Sequence, residues 1–242
     1  MALDEAILEG VIAKKSQFSL RFYKWKPSTI SIGRNQSLSQ EVELQVAQKK
    51  GFNIVRRITG GGAVFHDYDR EITYSLVCSV NFLEKLNAYK LIEQFELIEL
   101  GIINALIYYG LNPEKGIIHC PAIFIDGKKF SGNAQVRRKN YILQHGTILL
   151  DIDAELMYSV LKAPYNVSKS RMVKSVYAKC IGIKEKLKDY EESKFLKVLK
   201  KGFEEELNIK LVESGFTDYE LELANQLVIK KYSNPKWLIK YE

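Results

Sequence analysis

The amino-acid sequence predicts an α/β fold of the α+β kind, a mixed β-sheet flanked by helices in two packed layers. Three observations carry that prediction. Short runs rich in β-branched and aromatic residues, such as SLRFYKW, TISIG and ITYSLVCSV, recur along the first half of the chain. Longer stretches between and after them repeat apolar residues with the helical period. Asp126-Gly127 stands between two extended runs in IDGKKF, the strongest short signal for a β-hairpin.

The elements follow in chain order. Met1 to about Ala13 reads as a helix, with Leu3, Ala6, Ile7 and Gly10 on one side. The strands SLRFYKW and TISIG come next, split by the turn Lys26-Pro27-Ser28. Ser39 is placed to cap a helix running through Val42, Val46 and Lys49 to Gly51. NIVRR is an apolar run closing on two arginines, followed by a glycine cluster and the strand ITYSLVCSV. A long helix spans about Asn87 to Tyr109 and stops at Gly110 and Pro113. From Gly116 to Asp151, the runs IIH, AIFID, KKFSGNAQVR and YILQHGTILLD read as strands. Beyond Asp153 helical periods recur around Leu156–Leu161 and Ser193–Leu207, and a capping-box spacing at Thr217–Glu220 opens the last helix. No linker composition separates the halves, so residues 1–242 are expected to form one domain.

A chain of 242 residues can bury a core without disulfides or metals. A hydrophobic share of 46% and a charged share of 27% exclude a disordered or collagen-like protein. Lys and Arg number 36 against 29 Asp and Glu, a net charge of +7 that points to phosphates or an acidic partner. The aromatic residues form no basic–aromatic ladder of the kind that holds single strands, so no nucleic-acid partner is expected. Cys78, Cys120 and Cys180 have no paired spacing and no Cys/His cluster, so neither a disulfide framework nor a metal site is expected. The start MALDEAILEG carries acids, unlike a signal peptide, and Glu99 and Asn104 interrupt the longest apolar stretch. A soluble, cytoplasmic protein without membrane contact is the expectation.

Two segments could carry chemistry. In Arg56-Arg57-Ile-Thr-Gly60-Gly61-Gly62-Ala63-Val64-Phe65-His66-Asp67, three consecutive glycines follow a strand at a cost in backbone entropy. A nest of N–H groups with arginines beside it would hold an anion; a glycine-rich hairpin is the plainer alternative. No Gly-Lys-Ser/Thr follows the glycines, which excludes a Walker loop, and the last glycine of a dinucleotide fingerprint is missing. In the second segment, DGKKFSGNAQ, an extended chain puts Lys129, Ser131, Asn133 and Gln135 on one face and Phe130, Gly132, Ala134 and Val136 on the other. The polar face would suit the floor of a polar pocket; a solvated edge strand is the alternative.

The combination RRITGGGAVFHD, DGKKFSGNAQ and LQHGTILLDID, with MALDEAIL and RFYKWKPSTISIGRNQ ahead of it, resembles the lipoate–protein ligase and octanoyltransferase family. The resemblance runs from Met1 to the closing KKYSNPKW. It implies a biotin/lipoate ligase-like catalytic domain that attaches lipoate or octanoyl to one lysine of a carrier domain, in a dehydrogenase E2 or the glycine cleavage H protein. By resemblance, Gly60, Gly61 and Gly62 with Arg56 or Arg57 lie along the acyl chain and the phosphate. Lys129 would touch the carboxyl and phosphoryl oxygens. His66, Asp67 and His145 would line the pocket, with Ala63, Ser131 and Gly132 also on the substrate.

The family divides into ligases, which use ATP with Mg and a free acid, and transferases, which take the acyl group from acyl carrier protein onto a cysteine without a cofactor. The full Gly60–Val64 run looks more like the ligases, and an ATP-using lipoate–protein ligase is the first expectation. Against it, Pro121 and Ala122 replace the Asn-Asp pair that ligases usually carry before the DGKK turn. Cys120 sits in the region where one transferase group keeps its nucleophile, and His119, Lys128 and Lys129 could supply the positive surroundings a thiolate needs. An octanoyltransferase acting through a Cys120 thioester is therefore the alternative. No C-terminal accessory domain is expected, so a ligase would call for a separate accessory subunit.

Overall fold

The computed structural model describes residues 1–116 and 121–242. Strands β1 (Ser19–Tyr23), β2 (Thr29–Ile32), β3 (Asn53–Arg56), β4 (Val64–His66) and β5 (Glu71–Ser79) come from the first third of the chain. Strands β6 (Pro113–Lys115), β7 (Ala122–Ile125), β8 (Lys128–Arg138) and β9 (Tyr141–Leu149) follow. The helices before β6 are α1 (Ala2–Ile12), α2 (Leu38–Glu41), α3 (Leu44–Lys49), α4 (Val80–Glu84) and α5 (Leu91–Tyr108). After β9 come α6 (Ala154–Val160), α7 (Lys169–Lys179), α8 (Glu192–Glu206), α9 (Asp218–Leu227) and α10 (Pro235–Leu238).

The strands divide between two sheets. A six-stranded sheet in the order β1-β5-β9-β8-β7-β6 is antiparallel throughout, and a three-stranded sheet in the order β3-β2-β4 contains the parallel pair β2–β3. The expected helix-flanked sheet is present, with its mixed character confined to the small sheet. Strand β5 is buried along nearly its whole length because both of its faces are covered. Its residues Ile72, Tyr74, Leu76 and Cys78 join the main core with Ile98 and Ile102 of α5 and Phe195 and Phe203 of α8. Val77, on the opposite face, packs with Ile7, Leu8 and Val11 of α1. Helices α5 and α8 approach so closely that a Cβ on Gly202 would lie 2.2 Å from the Gly101 carbonyl oxygen.

Several elements depart from the sequence-based expectation for identifiable reasons. The helix expected from Ser39 is two short ones, the first capped by Ser37. The break arises because Val42 bridges to Leu161 and the Glu43 N–H donates to the Val160 carbonyl at 2.8 Å. Pro113 does not merely follow α5; it opens β6, an edge strand where a missing N–H costs no ladder bond. Helix α7 contains no buried residue, so it offers no strong apolar stripe to read. The expected strand IIH lies outside the described residues. The long apolar stretch forms most of α5, and no helix among the described residues is long and apolar enough to cross a membrane.

Candidate functional site

A cavity of about 190 Å³ opens between the two sheets. Ser31, Arg57, Gly61, Gly62, Val64 and His66 line it from the small-sheet side. Thr73, Lys129, Gly132, Ala134, His145 and Thr147 line it from the large sheet, and Met1 and Trp25 join them. The strand period explains the second set: on β9, His145 and Thr147 face the cavity while Ile142 and Ile148 enter the main core.

Strand β8 reaches the same cavity through a bulge. Ile123 pairs with Ser131 but Phe124 pairs with Lys129, so Phe130 is an extra residue in the ladder. Phe130 is fully buried in the main core, and Lys129 is thrown onto the face of Gly132. A Cβ on Gly132 would sit 3.1 Å from Lys129 Nζ, so the missing side chain is what gives the amine its place. The Ile181 N–H donates to the Lys129 carbonyl at 3.0 Å and fixes the backbone there. Among the described residues, no carboxylate lies within ion-pair distance of Lys129 Nζ.

This geometry reverses the expected roles of the two faces of β8. The floor of the cavity is the small-residue face, Gly132 and Ala134. Asn133 borders the cavity, but its side chain and the rest of the polar face turn towards α5. There Asn133 Nδ2 donates to Glu99 Oε1 (2.6 Å), Tyr74 Oη donates to Asn133 Oδ1 (2.6 Å) and Gln144 Nε2 donates to Tyr74 Oη (3.0 Å). Gln135 Nε2 extends the chain to Gln144 Oε1 at 3.0 Å. Ser131 is buried beside Asn133 and does not line the cavity. Burial pushes the Glu99 carboxyl up to about 7.

The glycine loop is shaped by Arg57. Its guanidinium donates to the Gly60 carbonyl and the Gly62 carbonyl (both 2.7 Å) and to the Ser31 carbonyl (3.0 Å) and Oγ (3.1 Å). Gly61 takes φ +94°, a left-handed value that favours glycine. With two carbonyls tied back, the N–H groups of Gly60, Gly61 and Gly62 have no acceptor among the described residues. Burial lowers the Arg57 guanidinium to about 10, which leaves it a cation at neutral pH. Gly33 faces the loop, and a Cβ there would meet the Gly61 carbonyl oxygen at 2.0 Å.

Two histidines are held between the sheets. His66 Nδ1 pairs with Glu71 Oε1 (2.7 Å), its Nε2 shares a hydrogen bond with Ser31 Oγ (2.8 Å), and its ring stacks on Trp25 at 4.4 Å. Thr73 Oγ1 donates to Glu71 Oε1 (2.6 Å) and accepts from Trp25 Nε1 (2.8 Å), closing a network around that carboxylate. His145 Nε2 shares a hydrogen bond with Thr59 Oγ1 (2.7 Å), and its Nδ1 faces Asp4 Oδ2 at 3.4 Å. Burial holds His145 below the usual imidazole range in spite of Asp4.

Of the residues singled out from the sequence, Lys129, Arg57, Gly61, Gly62, Gly132, His66 and His145 meet at this cavity. Gly60 and Ala63 flank it in the loop. Arg56 does not reach it: its guanidinium donates to the carbonyls of Gly33, Arg34, Gln36, Trp237 and Leu238, and the side chain is fully buried. Asp67 lines a second, smaller cleft and pairs with Arg70 at 2.8 Å. Cys120 and His119 lie outside the described residues. Asp4, Trp25, Ser31, Thr59, Glu71, Thr73 and Thr147 escape the sequence reading. Asp4 stands there as one of three acids of α1, with Glu5 and Glu9, and nothing in the sequence sets it apart from them. Among the described residues, no cluster of His, Cys, Asp and Glu could hold a metal ion.

The model of the lipoyl protein ligase A/B catalytic domain matches residues 1–204. The octanoyltransferase LipM of Brevibacillus brevis is 35% identical over 98% of this chain and 92% of its own length. LipM of Bacillus subtilis is 32% identical over the same shares. Among solved structures, a bi-partite lipoate protein ligase with its E2 lipoyl domain from Thermoplasma acidophilum is similar at a TM-score of 0.84 and 30% identity, over 100% of this chain and 91% of that one. A lipoate-protein ligase A bound with ATP is similar at 0.83 and 27% identity, over 100% of this chain and 93% of that one.

Proposed function

The chain belongs to the lipoyl protein ligase A/B catalytic family, and from that membership we propose that it is an octanoyltransferase: it moves octanoyl from the thiol of an acyl carrier protein to one lysine of a lipoyl carrier domain. The observation that carries this reading over the ATP-using ligase is the likeness to octanoyltransferases along 98% of the chain. The use made of the arginines supports it. Arg56 and Arg57 spend their donors on backbone carbonyls and on Ser31, so neither is free to clamp a polyphosphate.

The nucleophile in this proposal is Cys120. Cys78 and Cys180, the two described cysteines, are both poor thiolates. Cys78 lies in the main core, where burial pushes its thiol up to about 12; burial also raises that of Cys180, against the charge of Lys129 and Lys128. The Cys120 sulfur attacks the thioester carbonyl, the bond to the carrier's sulfur breaks, and the proton of the Cys120 thiol passes to the departing thiolate. The amine of the acceptor lysine then attacks the acyl-Cys120 thioester, an amide forms, and an amine proton returns to the cysteine sulfur. In both steps negative charge grows on the carbonyl oxygen. The Lys129 ammonium and the loop N–H groups are the donors available to stabilise it, each worth about 3 kcal/mol when aimed at the oxyanion. The acyl chain would lie over Gly132 and Ala134, where no side chain competes for the space.

Intact mass spectrometry of an apo lipoyl domain tests the reading. Incubation with octanoyl-acyl carrier protein and no ATP should add one octanoyl group, and Cys120→Ala should abolish the addition. Modification that instead requires octanoate or lipoate, ATP and Mg would return the ligase reading, which the likeness to the two solved ligases supports. A requirement for a second protein in that reaction would identify an accessory subunit.

A further inference from the structure

Between Lys162 and Lys188 the sequence holds eight Lys and Arg and a single acid, Glu185, so this stretch alone carries +7, the net charge of the whole chain. The rest of the protein is balanced. Helix α7 is the centre of the stretch, and none of its residues is buried. Val176 turns inward to the second cleft, which leaves Arg171 and Lys174 on the outward side at 100° per residue, with Lys179 exposed in the last turn. All three are exposed and have no ion pair among the described residues. The helix leads directly to the cavity's lysine: Cys180, its C-cap, bridges to Lys129 in parallel register.

We propose that the exposed basic surface of α7 is the docking surface for the acidic protein that delivers the acyl group. The inference rests on the transferase reading and names the partner's site of attachment. A solvated helix that contributes nothing to the core has no packing reason to collect the chain's charge excess, whereas complementary charge accelerates and orients encounter with an acidic partner. The donor fits better than the acceptor. The donor brings a thioester to the point of transfer, with no cation beside it. The acceptor must advance a lysine, and the same field opposes an approaching ammonium.

The test is a binding titration read by fluorescence anisotropy, with labelled octanoyl-acyl carrier protein and labelled apo lipoyl domain measured separately. The triple variant Arg171→Glu, Lys174→Glu, Lys179→Glu should weaken donor binding by about tenfold or more and flatten its salt dependence. Acceptor affinity, the thermal melt and turnover of a protein-free octanoyl thioester should be unchanged. The corresponding triple Gln variant should fall between the two. Unaltered donor affinity overturns the proposal, as does a loss confined to the acceptor, or capture of duplex DNA or anionic vesicles as tightly as the donor. Failure of the wild-type protein to transfer octanoyl without ATP would remove the transferase reading, while the titration still decides whether α7 binds the acidic protein.

Discussion

Lys129 Nζ and Glu99 Oε1 sit on opposite sides of the same strand pair and invite different experiments. Lys129 contributes charge to the cavity and nothing to the core, so Lys129→Ala should lower transfer by about 100-fold or more with little change in melting temperature, checked by mass spectrometry and calorimetry. Glu99 is buried with a carboxyl raised to about 7. Its folded-state value lies above its unfolded value, so the native protein holds the proton longer. Stability from this group is therefore full below the unfolded value and falls as pH rises to about 7, by about 3 kcal/mol in all. Glu99→Gln keeps an oxygen for Asn133 Nδ2 and should flatten that part of the melting-temperature profile, between about pH 5 and 7. The motif around Lys129 is legible in the sequence. The polar network is not, because nothing in a strand's alternation says which face meets a helix and which meets a cavity.

Strand β8 shows what a single inserted residue does at the scale of an element. The expected two-face pattern holds from Ser131 onward and fails at Lys129 and Phe130, where the bulge exchanges the faces. Without Phe130 as the extra residue, the lysine would enter the main core and the phenylalanine the cavity. Gly132 completes the arrangement. Gly132→Val should crowd the far end of the flexible Lys129 side chain, cutting transfer by about tenfold while the strand pairing persists. Equal activity in the variant, measured by kcat/KM, would show that the amine needs no such place. The short strands β4 and β6 are illegible for a related reason, each being held by its neighbours' hydrogen bonds rather than by a pattern of its own, and helix α7, capped by Ser168, buries no residue that would mark it.

At the scale of the molecule, two sheets rather than one enclose the cavity, and Arg56 ties distant parts of the chain together across the smaller one. The sequence shows two adjacent arginines of the same chemistry; the structure gives them different work. Arg57 shapes the glycine loop, and Arg56 donates to five backbone carbonyls from two segments. A lysine cannot reproduce that fork, so Arg56→Lys should cost about 3 kcal/mol of stability, read from denaturant midpoints. Molecules that remain folded should keep their kcat, in contrast to the Lys129 variant.

Trp237 returns the contact, its Nε1 donating to the Arg56 carbonyl at 2.9 Å. The clasp joins residues 181 positions apart in the chain. During synthesis from the N-terminus, β2, β3 and the glycine loop leave the ribosome long before their clasp partner exists. Until Trp237 and Leu238 emerge, the Arg56 guanidinium has only the carbonyls of Gly33, Arg34 and Gln36 as partners. A nascent chain can thus pair the large sheet early, whereas the clasp on the small sheet is completed only when that late segment arrives.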